Sequence, residues 1–117
     1  MKKIVTAPHL KSPLCKSMKE ATTLQDRIIG LMFSKTMETF DGLMITPCNS
    51  IHTFFMRYPI DVIFLDKNFI VVKIIRNLSP WRITWIYLRA VQVLELPANT
   101  IPDNLKINDK IEVLCTN

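Results

Sequence analysis

The amino-acid sequence predicts a mainly β (α+β) domain: a compact, barrel-like mixed sheet of about six to seven short strands, with one short helix near residues 23–33. The apolar runs are of strand length, as at Ile60–Leu65 and Phe69–Ile75, and turn residues separate them. Only one segment repeats apolar side chains at helical spacing. Because exposed sheet edges invite unwanted pairing, a chain built from short strands favours a closed or nearly closed sheet.

The predicted helix rests on a single amphipathic segment. Its apolar side chains recur three and four residues apart: Leu24, Ile28, Leu31 and Met32. Thr22 followed by Gln25 three residues later is a capping-box pattern, which marks the start of a helix. Gly30 weakens a helix by about 1 kcal/mol relative to alanine. We therefore expect a short helix that ends near Phe33.

The predicted strands follow in chain order and are bounded by turn residues. They span residues 43–45, 51–56, 60–65, 70–78, 81–87, 90–96 and 110–115. Glycine is scarce, so asparagine is expected to supply the left-handed backbone at three turns, at Asn68, Asn99 and Asn108. The length suits one domain at residues 20–117, preceded by an arm or irregular first strand at residues 1–19.

The composition indicates a globular chain. The hydrophobic fraction is 49% and the mean hydropathy is +0.20, which excludes an intrinsically disordered protein. No apolar run reaches the ~18 residues of a membrane-spanning helix. The apolar stretch after Lys3 ends at Pro8 and is too short for a signal peptide, so we expect a cytoplasmic protein. We also expect a monomer.

The cysteines predict reduced thiols and no metal site. Cys15, Cys48 and Cys115 are odd in number and widely spaced, which does not suit a disulfide framework. Cys48 and His52 supply two zinc ligands where a structural site needs four. We therefore expect neither metal nor cofactor, and Cys115 is expected to be a buried apolar residue at the end of its strand.

The candidate site begins with a polar interruption of an apolar run, at residues 50–66. His52, Arg57 and Asp61 lie there among strand-forming apolar residues. Burying such groups is costly unless they pair with one another or with a ligand. Asp61 can act as an acid or base or clamp a cation, or it can accept backbone N–H bonds or pair with Arg57. His52 can be a ligand or a satisfied core residue.

Three further residues complete the candidate ligand-binding set. Glu95 alternates with its leucine neighbours, so it faces either the His52 side of a barrel or water. Trp81 and Arg82 resemble the rim of a pocket, although Trp81 suits a core lid equally well. The net charge of +5 permits contact with nucleic acid, but the basic residues are dispersed, so we expect nucleic acid not to be a partner.

Four ordered motifs resemble the domain of unknown function 192 family over about residues 20–115. They are GLMF at 30–33, DGLMI at 41–45, IHTFFMRYPIDVIFLD at 51–66 and AVQVLELPANTI at 90–101. The resemblance implies a compact, barrel-like, mainly β fold with a short helix at the GLM motif, and it implies no activity, substrate or cofactor. Many relatives resemble exported proteins, and some occur near pilus or secretion genes, which hints at the cell envelope.

This chain departs from the family pattern at its turns. Phe69, Asn99 and Asn108 stand where the family usually has glycine, whereas His52, Arg57, Asp61 and Glu95 are intact. The sequence therefore favours a small non-catalytic domain that binds a small molecule, a peptide or a protein around the HTFFMRYPID segment. Two alternatives remain: a small hydrolase or metal-dependent enzyme that uses His52 and Asp61, and a weak nucleic-acid binder.

Overall fold

The computed structural model describes residues 2–22, 40–54 and 56–116 and places seven β-strands in them. The strands are β1 (Lys2–Thr6), β2 (Met18–Ala21), β3 (Gly42–Ile45), β4 (Ile60–Leu65), β5 (Val71–Leu78), β6 (Gln92–Pro97) and β7 (Glu112–Thr116). No helix lies within these described ranges, and the helix predicted near residues 23–33 falls outside them. The prediction of a mainly β domain with about seven strands is confirmed.

The strands form two sheets. The larger has the order β2-β3-β6-β4-β5, and the smaller pairs β1 with β7. All neighbours are antiparallel except β2 and β3, which are parallel. The chain between Pro97 and Glu112 makes successive turns.

The sheets are not closed into a barrel, which corrects the barrel-like expectation. In the described chain the five-stranded ladder ends at β2 on one side and at β5 on the other. Beyond these edges the smaller sheet is joined by isolated bridges, between Val5 and Cys15 and between Ile70 and Lys110. Single bridges tie the sheets together without a continuous ladder, so each sheet keeps its own edges.

The larger sheet is buried on both faces. Its central strands β4 and β6 are apolar at almost every position, which is typical of a sheet covered on both sides. One face packs against β1 and the C-terminal turns through Ile63, Leu94 and Leu96. The other face carries Val62, Phe64 and Val93. Because side chains alternate along a strand, each polar residue of β4 or β6 belongs to one of these two faces.

Two sequence-predicted strands are extended segments instead of ladder strands. Residues 51–56 and 81–87 are linked by one antiparallel bridge, between His52 and Ile83. Side-chain hydroxyls add to a few backbone bonds between them: the Ile51 N–H donates to Thr84 Oγ1 and the Arg82 N–H donates to Thr53 Oγ1. These bonds hold the two segments side by side without forming a regular ladder.

Among the described residues, left-handed backbone occurs at five that are not glycine. Asn99 and Asn108, at two of the predicted asparagine turns, have φ of 68° and 78°. In the hairpin between β4 and β5 the left-handed residue is Phe69, with φ 63°, and not Asn68 as expected. Here the Asp66 carboxylate accepts the N–H groups of Asn68 and Ile70, which places the left-handed position one residue later. The other two such residues are Asn77 and Trp81.

Replacing Gly42 by alanine is expected to lower the free energy of unfolding by about 1–3 kcal/mol. A Cβ at this position would lie 2.8 Å from Cys15 Sγ and 3.1 Å from Leu96 Cδ2. Urea denaturation followed by circular dichroism measures the loss. Adding Cys15→Ala removes the nearest atom, so the double variant should recover part of the stability; a Gly42→Ala protein as stable as the parent would contradict this packing.

Candidate functional site

Asp61 is fully buried and binds the backbone of two loops. One carboxylate oxygen accepts the N–H of Asn77 at 2.9 Å, and the other accepts the N–H groups of Thr100 and Ile101 at 2.9 and 3.0 Å. Such charge-assisted bonds offset the cost of burying a carboxylate. They also occupy both oxygens, and no ion pair joins Asp61 to Arg57 in the described chain. Arg57 is exposed.

Glu95 lies on the opposite face of the sheet from Asp61. In the β4–β6 register Asp61 is opposite Leu96, whereas Glu95 is opposite Val62. On its other side Glu95 is opposite Leu43 of β3. The carboxyl group is therefore set among apolar side chains, and the residue is only 6% exposed. The structure does not bring the two predicted carboxylates together.

The Glu95 carboxyl group and the Tyr58 hydroxyl are buried polar groups that interact through charge. Burial raises the pKa of the Glu95 carboxyl group to about 7. Burial, and to a smaller extent the negative charge of Glu95, raises the pKa of Tyr58. The Tyr58 hydroxyl is buried, and it has no hydrogen-bond partner within the described part of the chain. Tyr58 was not predicted from the sequence, although it directly follows Arg57.

The other candidate residues lie on the surface, where Thr53 holds two segments together. Thr53 is buried and bonds the loop after β5 through both its backbone and its hydroxyl. Its N–H donates to the Arg82 carbonyl and its hydroxyl donates to the Ser79 carbonyl, at 2.8 and 2.7 Å. In return its carbonyl accepts the Trp81 N–H and its Oγ1 accepts the Arg82 N–H, both at 2.9 Å. Thr53 therefore positions His52 and Phe54 beside Trp81 and Arg82.

Three aromatic rings form a row on this surface. The His52 and Phe54 rings have centroids 4.9 Å apart, and Phe54 stacks on Trp81 with centroids 6.0 Å apart. The His52 Nδ1 atom accepts the N–H of Phe54 at 3.3 Å. His52 is exposed, so it is not the core histidine that the apolar pattern allowed.

Trp81 combines exposure with backbone strain. Its side chain is 58% exposed and its φ is 64°, in the left-handed region that bulky residues rarely adopt. Such a conformation costs about 1–3 kcal/mol. Strained residues of this kind concentrate at functional sites.

The row continues into a run of exposed apolar side chains that the sequence analysis did not assign to the site. Trp85 is 83% exposed and Leu88 is 87% exposed. We call the following residues the exposed aromatic surface: His52, Phe54, Trp81, Arg82, Ile83, Trp85, Ile86 and Leu88. The missed signal was the density of tryptophan, isoleucine and arginine, because the alternation of Trp81, Ile83 and Trp85 with polar residues predicted a strand instead.

The surroundings of this surface are basic. Residues 42–60 and 67–94 contain no aspartate or glutamate. The exposed arginines of the two segments that form the surface are Arg57, Arg82 and Arg89. The surface therefore offers apolar side chains and positive charge, but no carboxylate.

The cysteines and histidines do not form a metal site among the residues that the structure describes. No three of the His, Cys, Asp and Glu side chains there are grouped to hold an ion. Cys15 is buried, and its burial together with the charge of Asp41 raises the pKa of its thiol to about 12.

Cys115 is exposed, so the expectation that it is buried was wrong. By strand alternation Cys115 is on the same face of β7 as Val113, but it lies near the end of the strand, opposite Lys3, where the core no longer covers that face.

Comparison with known sequences decides the family. The profile of DUF192, described as uncharacterized ACR, matches residues 10–113. The chain belongs to the DUF192 family. The UPF0127 protein PH1112 of Pyrococcus horikoshii is 41% identical to it over 93 residues, which cover 74% of this chain and 77% of the relative. The resemblance predicted from the four motifs is confirmed.

Solved structures agree on the fold of this DUF192 chain. A crystal structure of a protein of unknown function from Novosphingobium aromaticivorans has a TM-score of 0.75 at 21% identity, covering 93% of this chain and 83% of that one. A crystal structure from Sinorhizobium meliloti also has a TM-score of 0.75 at 21% identity, covering 95% and 91%. At this identity the likeness shows the fold alone. The family is uncharacterised, and nothing in these comparisons supports catalysis.

No helix long and apolar enough to cross a membrane occurs in the described ranges.

Replacing Asp61 by asparagine is expected to lower the free energy of unfolding by about 2–4 kcal/mol, because an amide nitrogen cannot accept the backbone N–H bonds that the carboxylate accepts. Urea denaturation measures the change. Arg57→Gln is the control for the pairing predicted from the sequence, and it should stay within about 0.5 kcal/mol of the parent. Equal losses in the two variants would indicate that Arg57 and Asp61 act as a pair.

Glu95 is expected to make stability fall as pH rises. The folded-state pKa of about 7 lies above the ordinary value of 4.5, so the folded protein holds a proton that the unfolded chain has lost. Stability from the protonated group is therefore complete below pH 4.5 and is lost by about pH 7, a change of about 3 kcal/mol. The Glu95→Gln variant has no titrating group at this position and therefore serves as the reference. Urea denaturation at several pH values in this range measures the free energy of unfolding of both proteins. The free energy of the parent minus that of the variant should fall as pH rises, and a difference that stays constant would contradict the expectation.

Proposed function

We propose that this protein is a small non-catalytic binding domain whose partner docks on the exposed aromatic surface. The observation that carries the proposal is the position of Trp81, a strained residue whose ring is exposed and stacked on Phe54. A residue selected for stability alone would avoid this conformation at an exposed position. Tryptophan and arginine are also the side chains that most often dominate binding energy at protein interfaces.

Rigid support of the surface favours a binding role. The loop is fixed at its start by the backbone and hydroxyl bonds of Thr53 and near its end by Tyr87, whose ring centroid lies 4.6 Å from that of Phe64. The Tyr87 N–H also donates to the Asn49 carbonyl at 2.9 Å. A loop fixed at both ends loses less conformational entropy when a partner binds, which leaves more of the contact energy for affinity.

The enzymatic alternative has less support. His52 is exposed, whereas both oxygens of Asp61 are buried and bonded to backbone N–H groups. A general base must be within hydrogen-bond reach of the group that it activates or orients. The proposed binding role requires no metal or cofactor. The cytoplasmic location and the monomeric state remain predictions.

A second candidate function is the binding of a small polar ligand by Glu95 and Tyr58. Its support is the buried Tyr58 hydroxyl, which has no hydrogen-bond partner among the described residues, and the buried Glu95 carboxyl group, whose charge acts on Tyr58. Buried polar groups are normally satisfied, and an unsatisfied one calls for an explanation. A ligand with a hydroxyl, amide or ammonium group could satisfy both.

Separation of a source-cell lysate tests which partner the exposed aromatic surface binds. The purified full chain is immobilised and exposed separately to the soluble-protein, membrane and nucleic-acid fractions. We expect one fraction to be retained by the parent and released by the Trp81→Asn variant, because asparagine tolerates the left-handed backbone but removes the ring. The variant should be at least as stable as the parent in urea.

Ile107→Ser is the matched control for that experiment. Ile107 is an exposed apolar residue in the turns between β6 and β7, outside the exposed aromatic surface. Its replacement should leave retention unchanged. Equal retention by Trp81→Asn and the parent would show that the surface is not the binding site, and native mass spectrometry for a bound small molecule would then test the Glu95–Tyr58 candidate.

A further inference from the structure

The 81–91 loop presents large apolar side chains that no described part of the fold covers. Besides Trp85 and Leu88, the side chains of Ile83 and Ile86 are 71% and 63% exposed. Single exposed apolar residues are ordinary on protein surfaces, but a cluster of large ones marks an interaction site. These residues lie between the two anchors of the loop, Thr53 at its start and Tyr87 near its end.

We propose that the 81–91 loop docks on the surface of an anionic lipid bilayer, with its apolar side chains inserted at the boundary between headgroups and acyl chains. The inference rests on the proposed binding role of the exposed aromatic surface and names its partner. Peripheral anchors of this kind place tryptophan and leucine about 5–10 Å into the interface while basic residues remain at headgroup level.

Charge complementarity supports an anionic partner. Arg82 and Arg89 flank the exposed apolar residues, and Arg57 lies on the neighbouring segment. From residue 67 to residue 94 no carboxylate opposes them. Each basic side chain near an anionic bilayer contributes a roughly five-fold gain in partitioning. Arginine also keeps its apolar stem along the interface while its charge faces the headgroups.

The shape of the loop favours a bilayer over the other anionic partners. Its isoleucine, leucine and tryptophan side chains project outward, and of these only Leu88 lines the open depression beside the loop, together with Pro47 and Cys48. A protein partner would need a matching cavity for each projecting residue, whereas a fluid bilayer accepts them without a preformed shape. Nucleic-acid bases stack on aromatic rings, but they offer little to exposed Ile83, Ile86 and Leu88.

Vesicle binding by the full chain tests the inference. Phosphatidylcholine vesicles containing phosphatidylglycerol are compared with phosphatidylcholine alone, by co-sedimentation and by tryptophan fluorescence. The chain has two tryptophans, Trp81 and Trp85, and both lie on the loop, so the emission reports directly on its environment. We expect a blue shift and co-sedimentation with the mixed vesicles, weakened at high salt because the charge attraction is screened.

Two sets of variants divide the apolar from the electrostatic contribution. The double variant Trp85→Ser/Leu88→Ser should lower partitioning more than about tenfold, since it removes the two most exposed anchors. Arg82→Gln and Arg89→Gln should each lower it roughly five-fold, and only on vesicles that contain phosphatidylglycerol. The matched controls Ile107→Ser and Lys110→Gln, which change exposed residues outside the loop, should leave partitioning within about two-fold of the parent. Circular dichroism verifies that each variant is folded.

Several outcomes would overturn the proposal. They are no binding to mixed vesicles, binding that the Trp85→Ser/Leu88→Ser variant retains, and a blue shift produced by oligonucleotides but not by vesicles. The parent protein could fail to bind vesicles and still retain a soluble protein that the Trp81→Asn variant releases. That result would reject the bilayer as the partner but keep the proposed binding role. Failure of both experiments would reject the two proposals together.

Discussion

The buried carboxylate of Asp61 is the interaction on which the rest of the structure depends. It lies at the start of β4 and accepts N–H bonds from the end of β5 and from the turn after β6. The β4–β5 register shifts between Ile60 and Val62, so β5 has an additional residue at this point. Asn77, with its left-handed backbone, lies at that bulge and directs its N–H to Asp61. A carboxylate here satisfies donors that the ladder leaves unpaired.

This arrangement also determines where the 81–91 loop leaves the sheet. β5 ends at Leu78, directly after the bulge, and the Ser79 carbonyl accepts the Thr53 hydroxyl. The direction of the chain into Trp81 and Arg82 is thus fixed by two buried polar residues, Asp61 and Thr53. Neither is accessible for binding, so both act by positioning the exposed aromatic surface. A polar interruption in an apolar run can therefore mark the support of a site instead of the site itself.

The candidate residues chosen from the sequence divide into three environments because of strand register. Alternation within β4 and within β6 correctly separates Asp61 and Glu95 from their apolar neighbours. Alternation alone does not say which residue of β6 is opposite Asp61. The observed register places Leu96 there, and a shift of one residue would have placed Glu95 there instead. The remaining four candidates, His52, Arg57, Trp81 and Arg82, lie on the surface, since their segments lack the ladder that would bury them.

The sequence by itself determined the family, the mainly β class and most strand positions, because these depend on local patterns of apolar and turn residues. It also indicated left-handed turns at Asn99 and Asn108, where side-chain chemistry acts within a few residues. Only the tertiary structure decided that the sheets stay open, that Glu95 is buried beside Tyr58, and that Trp85 and Leu88 are exposed. Those outcomes depend on strand register and on hydrogen bonds between residues far apart in the chain. Local sequence patterns do not encode such long-range pairings.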